Sequence, residues 1–233
     1  VCFLDARSAA CFTLKADNVR PTIVSQSVPP TLAAITGGRR SVADMLRLTN
    51  AVRRAAPDVF FSPSVYGFFP LPPGLPAVIT IHDAIAERYP ALTLPSWRDR
   101  LFWWMKVRLA LMQARLVVTV SDYSARELGH YLHVPIERVR VSLEGAAAEY
   151  RPSESDADIR AAAAHIGLAR HARWLIYVGG FSPHKRVDVL IRAHARVAAR
   201  STTPLALLLV GAEHDGFHDD SAGIRRSIRD CGT

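Results

Sequence analysis

Along the chain, short apolar runs closed by turn residues alternate with segments whose apolar residues recur every third or fourth position. The stretches Val1–Leu4, Asp58–Phe61, Ala77–Ile81, Leu116–Val120, Val139–Leu143, Trp174–Val178 and Leu205–Val210 have the length and apolar character of buried strands. Between them, Met45, Leu48 and Val52 share a helical face that opens at Ser41 and closes before Pro57. Leu101, Trp104, Met105, Leu109 and Met112 share another within Arg98–Arg115, and this stripe is expected to pack on a sheet. Ser124 with Glu127 forms a capping box for a helix to about Leu132, and an alanine-rich helix is expected over Asp158–His165. Strand and helix in alternation predict an α/β fold with mostly parallel sheets.

The stretch Trp174–Ala198 reads WLIYVGGFSPHKRVDVLIRAHARVA. Its strand stops at Gly179-Gly180, and a helix follows in which Val187, Leu190, Ile191 and Val197 share a face, with Ser182 and Pro183 as cap and first helical residue. A helix start carries partial positive charge and favours Asp or Glu, yet His184, Lys185 and Arg186 crowd this one with only Asp188 opposing. A phosphate would satisfy free backbone N–H groups, the helix dipole and the Lys185 ammonium together, and the glycines would let it approach the backbone. A solvated basic turn is the alternative, and spacing alone does not choose between them.

Composition narrows the partners. At 233 residues the chain has room for one or two domains, and its 49% hydrophobic content excludes a disordered protein. A net charge of +8 suits a phosphate-bearing partner, an anionic membrane surface or nucleic acid, although no nucleic-acid motif accompanies it. Arg98, Arg100, Lys106, Arg108 and Arg115, with Trp103 among them, would let their helix rest on an anionic bilayer; a helix packed on its sheet with the basic face in water is the alternative. Cys2, Cys11 and Cys231 make neither a disulfide framework nor a zinc knuckle, so a reducing, cytoplasmic setting is expected. No run reaches the length of a membrane-spanning helix, and the first residues lack the order of a secretory signal. The first methionine is Met45, so a longer parent chain is expected.

Polar residues directly after buried strands sit where open α/β sheets place their ligands. His82-Asp83, Ser121-Asp122 and Glu144-Gly145 occupy such positions, each also readable as a loop tie or a helix cap. His214 and His218, near Asp215, Asp219 and Asp220, have a spacing that can hold a metal, but no third ordered ligand joins them and no metal is expected. His194 on the apolar face of the helix after the glycine turn reads as a core histidine. The proline-broken stretch Tyr150–Ser155 marks a domain boundary.

Four blocks in order, AVITIHDAIAERYP, ARLVVTVSDYSARELGHYLHVPIERVRVSLEGAAAEYRP, WLIYVGGFSPHKRVDVLIRAHARV and LALLLVGAEHDG, resemble the GT-B glycosyltransferases of family 4, the retaining group 1 enzymes. The resemblance implies two Rossmann-like domains facing across a cleft. Residues 1–152 would form the N-terminal, acceptor-side domain without its first strand and turn, 153–172 a linker, and 173–233 the start of the nucleotide-sugar-binding domain. The family's acidic Glu-x7-Glu pair does not appear before Thr233, so the chain is expected to be truncated at both ends and its C-terminal domain incomplete.

On that model Gly179, Gly180 and Lys185 meet the donor diphosphate, and His184 and Arg186 replace the arginine that many members carry where Gly180 stands here. His82 and Asp83 take the catalytic-face position near the transferred sugar, while Ser121 and Glu144 line the cleft. The implied activity is hexosyl transfer, with retention, from a nucleotide-diphosphate sugar to a glycan or lipid-linked acceptor in polysaccharide biosynthesis. It would need no metal or other cofactor, and would take place in the cytoplasm or peripherally at the inner membrane face. A non-catalytic nucleotide or phosphosugar binding module is the alternative.

Overall fold

The computed structural model of the chain describes residues 1–11, 17–30, 40–148, 150–152, 155–168, 173–211 and 220–232. They form two compact units, Val1–Glu144 and Gly145–Thr233.

In the first unit the elements are β1 (Cys2–Leu4), α1 (Ala6–Cys11), β2 (Pro21–Ile23), α2 (Val42–Ala55), β3 (Phe60–Ser62), β4 (Ala77–Thr80), α3 (Ile85–Arg88), α4 (Pro90–Thr93), α5 (Trp97–Gln113), β5 (Ala114–Thr119), α6 (Asp122–Leu132) and β6 (Val139–Val141). β1 and β2 pair in parallel, and β3-β4-β5-β6 form a parallel sheet in chain order. Parallel neighbours need crossover connections, and α5 and α6 supply two of them. Ile79 of β4 and Val117 of β5, partners in register, are fully buried, with Val52 of α2 and Leu128 of α6 in the same core.

α2, α5 and α6 start where the hydroxyl of a preceding serine satisfies one of the first free N–H groups. The Ser41 hydroxyl accepts from the Asp44 amide at 3.1 Å, and α2 closes on Ala56 in a left-handed conformation. As the periodicity predicts, Leu48 and Val52 of α2 are buried and Met45 packs against them. Asp44 is also buried, accepting from the Ser27 amide, the Ser27 hydroxyl and the Val28 amide. α6 begins one turn earlier than the expected Ser124 box: Ser121 is the cap, and Glu127 pairs instead with Arg88 at 2.8 Å.

Several faces differ from expectation, among them Val141 and Leu143 at β6, which are exposed rather than buried. β3 is an edge strand, which leaves Phe61 and Val59 exposed rather than buried. In α5 the buried seam is Trp103, Val107 and Ala110, while Leu101, Trp104, Met105 and Met112 face outward. Apolar residues ring this helix, so period alone does not choose the buried face. Trp103 is held inward by a 2.6 Å bond from its indole N–H to Glu87, whose carboxyl burial pushes upward.

The second unit contains α7 (Asp156–His165), β7 (Arg173–Val178), α8 (Val187–Ala198), β8 (Leu205–Val210) and α9 (Ser221–Cys231). β7 and β8 pair in parallel along their whole length. Val187 and Ile191 of α8 and Ile224 of α9 are buried together against Tyr177, Leu207 and Leu209 of the strands. His194 is the expected core histidine, its Nε2 lying 3.0 Å from the Leu205 carbonyl oxygen. Val197, expected on the inner face, is exposed. α9 was not anticipated, although Ile224, Ile228 and Cys231 recur at helical spacing and reach the same core.

Candidate functional site

In the first unit the carboxyl ends of β4, β5 and β6 bring four of the sequence-predicted residues, His82, Asp83, Ser121 and Glu144, to one sheet edge. The Ile81 amide donates to the Val118 carbonyl at 2.9 Å, and the Ser142 amide to the Thr119 carbonyl at 2.8 Å, so the chain stays pinned beyond the ends of β4 and β6. The buried Thr119 hydroxyl donates to the His82 carbonyl at 3.3 Å. These bonds hold the backbone from which His82 and Glu144 project. Nε2 of His82 lies 3.2 Å from Oε1 of Glu144, with 31% of the His82 side chain and 67% of the Glu144 side chain exposed.

Neighbouring residues have structural employment. Oδ1 of Asp83 accepts from the Ile85 amide at 3.0 Å and starts the turn into α3. The Ser121 hydroxyl accepts from the Ser124 amide and donates to the Ser124 hydroxyl, both at 3.0 Å. Of this group, His82 and Glu144 present polar atoms outward, and Asp83 and Ser121 shape the loops beside them.

In the second unit the glycine turn after β7 is braced from three sides. The Gly179 amide donates to the Val210 carbonyl at 2.9 Å, and the Asp220 amide, ahead of α9, to the Phe181 carbonyl at 3.0 Å. The Tyr177 hydroxyl donates to the Gly180 carbonyl at 2.7 Å, and its ring stacks on Phe181 with centroids 6.3 Å apart. Burial pushes the Tyr177 phenol upward, so it stays protonated and donating. Gly211 follows from the same closeness: a Cβ there would meet the Gly179 carbonyl oxygen at 2.1 Å. Neither Tyr177 nor Gly211 stands out in the sequence, since an aromatic residue in a strand and a glycine after one are both ordinary.

The turn does not run directly into the helix. Pro183–Lys185 make a single 3-10 turn in which the Lys185 amide donates to the Ser182 carbonyl at 2.9 Å and the Arg186 amide to the Pro183 carbonyl at 3.1 Å. Arg186 is left-handed (φ 52°) and α8 starts after it, so Ser182 caps the short turn rather than the helix and its side chain makes no capping bond.

The cations here are unequal. The Arg186 guanidinium meets Asp188 at 3.2 Å, and Arg192 meets the same carboxylate at 2.9 Å. These guanidiniums hold the Asp188 carboxyl below the usual range, with that of Arg186 the larger influence. The start of α8 therefore already has an anion. Lys185, by contrast, is exposed and its ammonium has no partner among the described residues, and the Gly180 and Phe181 amides also lack one. His184 lies on the same short turn, half-buried. The arrangement can receive an anion at Gly180, Phe181 and Lys185.

His214, Asp215, His218 and Asp219, considered above as metal ligands, lie outside the described residues. Among the described residues no three His, Cys, Asp or Glu side chains are grouped as metal ligands would be, and no helix is long and apolar enough to cross a membrane.

The sequence model of Glycosyltransferase Family 4 matches residues 9–145. O-antigen chain mannosyltransferase B of Escherichia coli is 26% identical over 147 residues, which are 62% of this chain and 36% of that protein. Among solved structures, sucrose-phosphate synthase from Thermosynechococcus elongatus matches with a TM-score of 0.61 at 16% identity, over 94% of this chain and 54% of that one. That likeness is one of fold, and it agrees with the α/β, GT-B fold class expected from the sequence. The chain spans 36% and 54% of the lengths of these two relatives.

Proposed function

The chain belongs to Glycosyltransferase Family 4, and from that premise we propose that it serves hexosyl transfer, with retention of configuration, from a nucleotide-diphosphate sugar to a glycan or lipid-linked acceptor. The observation that carries the reading is the chemistry of the glycine turn: Lys185 is exposed with no partner among the described residues, and the Gly180 and Phe181 amides of the same segment lack one as well. Breaking a glycosidic bond to a diphosphate leaves negative charge on the departing phosphate. A fixed ammonium and backbone N–H donors stabilise that charge more in the transition state than in the ground state. This requires no metal. His82, held beside Glu144, is a polar contact for sugar hydroxyls, and Asp83 supports its loop. The name of the E. coli relative, a mannosyltransferase acting on O-antigen chains, supports a glycan acceptor.

The outward face of α5 supports peripheral contact with an anionic membrane from the cytoplasmic side. Trp97, Trp104 and Met112 are exposed there, and the guanidiniums of Arg98 and Arg108 lie 5.5 and 5.9 Å from the Trp97 and Trp104 rings. The engagement of Arg186 by Asp188 favours a second reading, a non-catalytic phosphosugar or nucleotide binding module with a weaker anion site.

Calorimetry with nucleoside diphosphates, paired with a turnover assay on their hexose conjugates, tests both. Binding with turnover supports transfer, and binding without turnover supports the module. Preference for an oligonucleotide over every nucleoside diphosphate would defeat both.

A further inference from the structure

The first unit holds two parallel sheets whose near edges, β1 and β3, line one cavity of about 660 Å³ that neither β2 nor β4 reaches. The Cys2 amide donates to the Arg20 carbonyl and the Val24 amide to the Leu4 carbonyl, both at 2.8 Å, so Cys2 and Leu4 face β2 with their backbone groups. Phe3 between them turns its N–H and C=O the other way, because these groups alternate along a strand. In β3 the Phe60 amide donates to the Pro76 carbonyl at 2.9 Å, which turns Phe60 toward β4 and Phe61 away from it. Neither the Phe3 nor the Phe61 amide has a partner among the described residues, and both edges open onto the cavity.

The two edges run the same way. Arg40 donates through one terminal nitrogen to the Gln26 side chain, just beyond β2, and through the other to the Gly67 carbonyl, on the turn after β3, so the carboxyl ends of the two sheets lie on one side. Nε of that guanidinium, which lines the same cavity, is buried without a hydrogen-bond partner. The Phe3 and Phe60 rings come within 6.3 Å of each other, and both line the cavity. Phe61, which reads in the sequence as part of a buried strand, is 59% exposed.

We propose that this cavity receives one more parallel strand, supplied by residues of the same polypeptide ahead of Val1, which bonds Phe3 on one side and Phe61 on the other and joins the two sheets into one. A strand presents N–H and C=O groups to both sides in turn, whereas a small apolar ligand would leave both edges unpaired. Consecutive strands are usually neighbours, as β1 and β2 are and as β3 to β6 are in order, so the occupant beside β1 is the strand that precedes it. A parallel neighbour needs a crossover of about a dozen residues or more, which places the strand within about thirty residues upstream. Flanked on both sides, it should be a short continuous apolar run, and the turn at its carboxyl end should supply an acceptor to Nε of Arg40. This strand belongs to the first unit alone and is independent of the transfer reading.

Amide hydrogen exchange in the 233-residue chain, and in the same chain with about thirty of its own upstream residues, is the test. The Phe60 amide, bonded to Pro76, should be slow in both and serves as the internal reference. The Phe3 and Phe61 amides should exchange fast in the shorter chain and more slowly by about a hundredfold or more in the longer one. Should the shorter chain fail to fold, the longer one decides by itself. Fast exchange at Phe3 and Phe61 in the longer chain would overturn the proposal, and so would a reading frame that opens at Val1. Slow exchange already in the shorter chain would overturn it too, in favour of a second copy if the protection grows with protein concentration.

Discussion

His82 and Glu144, far apart in sequence, meet at 3.2 Å because β4 and β6 flank β5 and both strands are extended by bonds to it. The pair is exposed enough to be screened by water, so it adds little to folding and its polar atoms stay available to a ligand.

Glu144→Gln and His82→Gln should therefore each change stability by less than about 1 kcal/mol. Under the proposed role, His82→Gln should slow sugar transfer clearly, and Glu144→Gln should do so more mildly by releasing the imidazole. Urea unfolding beside steady-state turnover separates these effects. A loss of stability in step with the loss of turnover would count against the role.

Lys185→Ala should weaken nucleoside diphosphate binding by about 1–3 kcal/mol, the worth of a charge-assisted hydrogen bond. Arg186→Ala should cost less, because its guanidinium is already shared with Asp188. Removing that competitor with Asp188→Asn should raise the contribution of Arg186. Calorimetric titration of the three variants gives the order, and a larger loss for Arg186→Ala than for Lys185→Ala would contradict the assignment.

Gly211→Ala places a methyl carbon 2.1 Å from the Gly179 carbonyl oxygen, too close for either backbone to remain where it is. Overpacking of this kind costs about 1–3 kcal/mol, read as a lower urea midpoint with the slope unchanged. Gly180→Ala meets no heavy atom within 4 Å and should be tolerated much better by the fold. An equal loss in both variants would show that the close approach is not what demands glycine.

Acid should undo the first unit through Asp5 and Asp44. Hydrogen bonds and the Arg7 guanidinium hold the Asp5 carboxyl at about 2, and accepted hydrogen bonds hold Asp44 well below the ordinary aspartate value, against desolvation in both cases. The folded state thus binds fewer protons than the unfolded one just below that ordinary value. The stability from these groups is complete above it and is lost as pH falls through it, toward about 2 for Asp5 and lower for Asp44. Asp44→Asn should lower stability at neutral pH by about 1.5–3 kcal/mol and flatten the acid side of the stability curve. Urea midpoints measured from neutral to acid pH check both parts.

Lys106 is also shifted downward, but there burial penalises the charged form instead of stabilising it. Its folded value of about 8 lies below the ordinary 10.5, so the unfolded state binds more protons between the two and stability should rise with pH across that window. Lys106→Met should remove the rise and stabilise the protein most below about pH 8. Thermal melting from pH 7 to 10 reports it.

Most elements are legible locally. The β8 run Leu205–Val210 is observed as read, and β7 and β4 fall within one residue of their runs, because a short apolar, β-branched stretch closed by glycine or a polar residue favours a strand, although Ile176 and Val178 of β7 are exposed rather than buried. The Ser41 cap and the Leu48–Val52 face follow from residue type and spacing, which act over one or two turns. The glycine turn was visible for the same reason: it is one contiguous segment.

What the chain by itself determined, then, was the order and kind of its elements and the family pattern they carry, since those depend on neighbours a few residues away. Tertiary structure decided which face of α5 is buried, with Trp103 inward and Trp104 outward, and which turn cation already has a carboxylate. It also decided that Arg40 and Lys106 share a cavity and that His82 meets Glu144. Each of these depends on sheet order or on competition for a partner. A hydrophobic period carries neither, because it records how apolar a position is and not what stands opposite it.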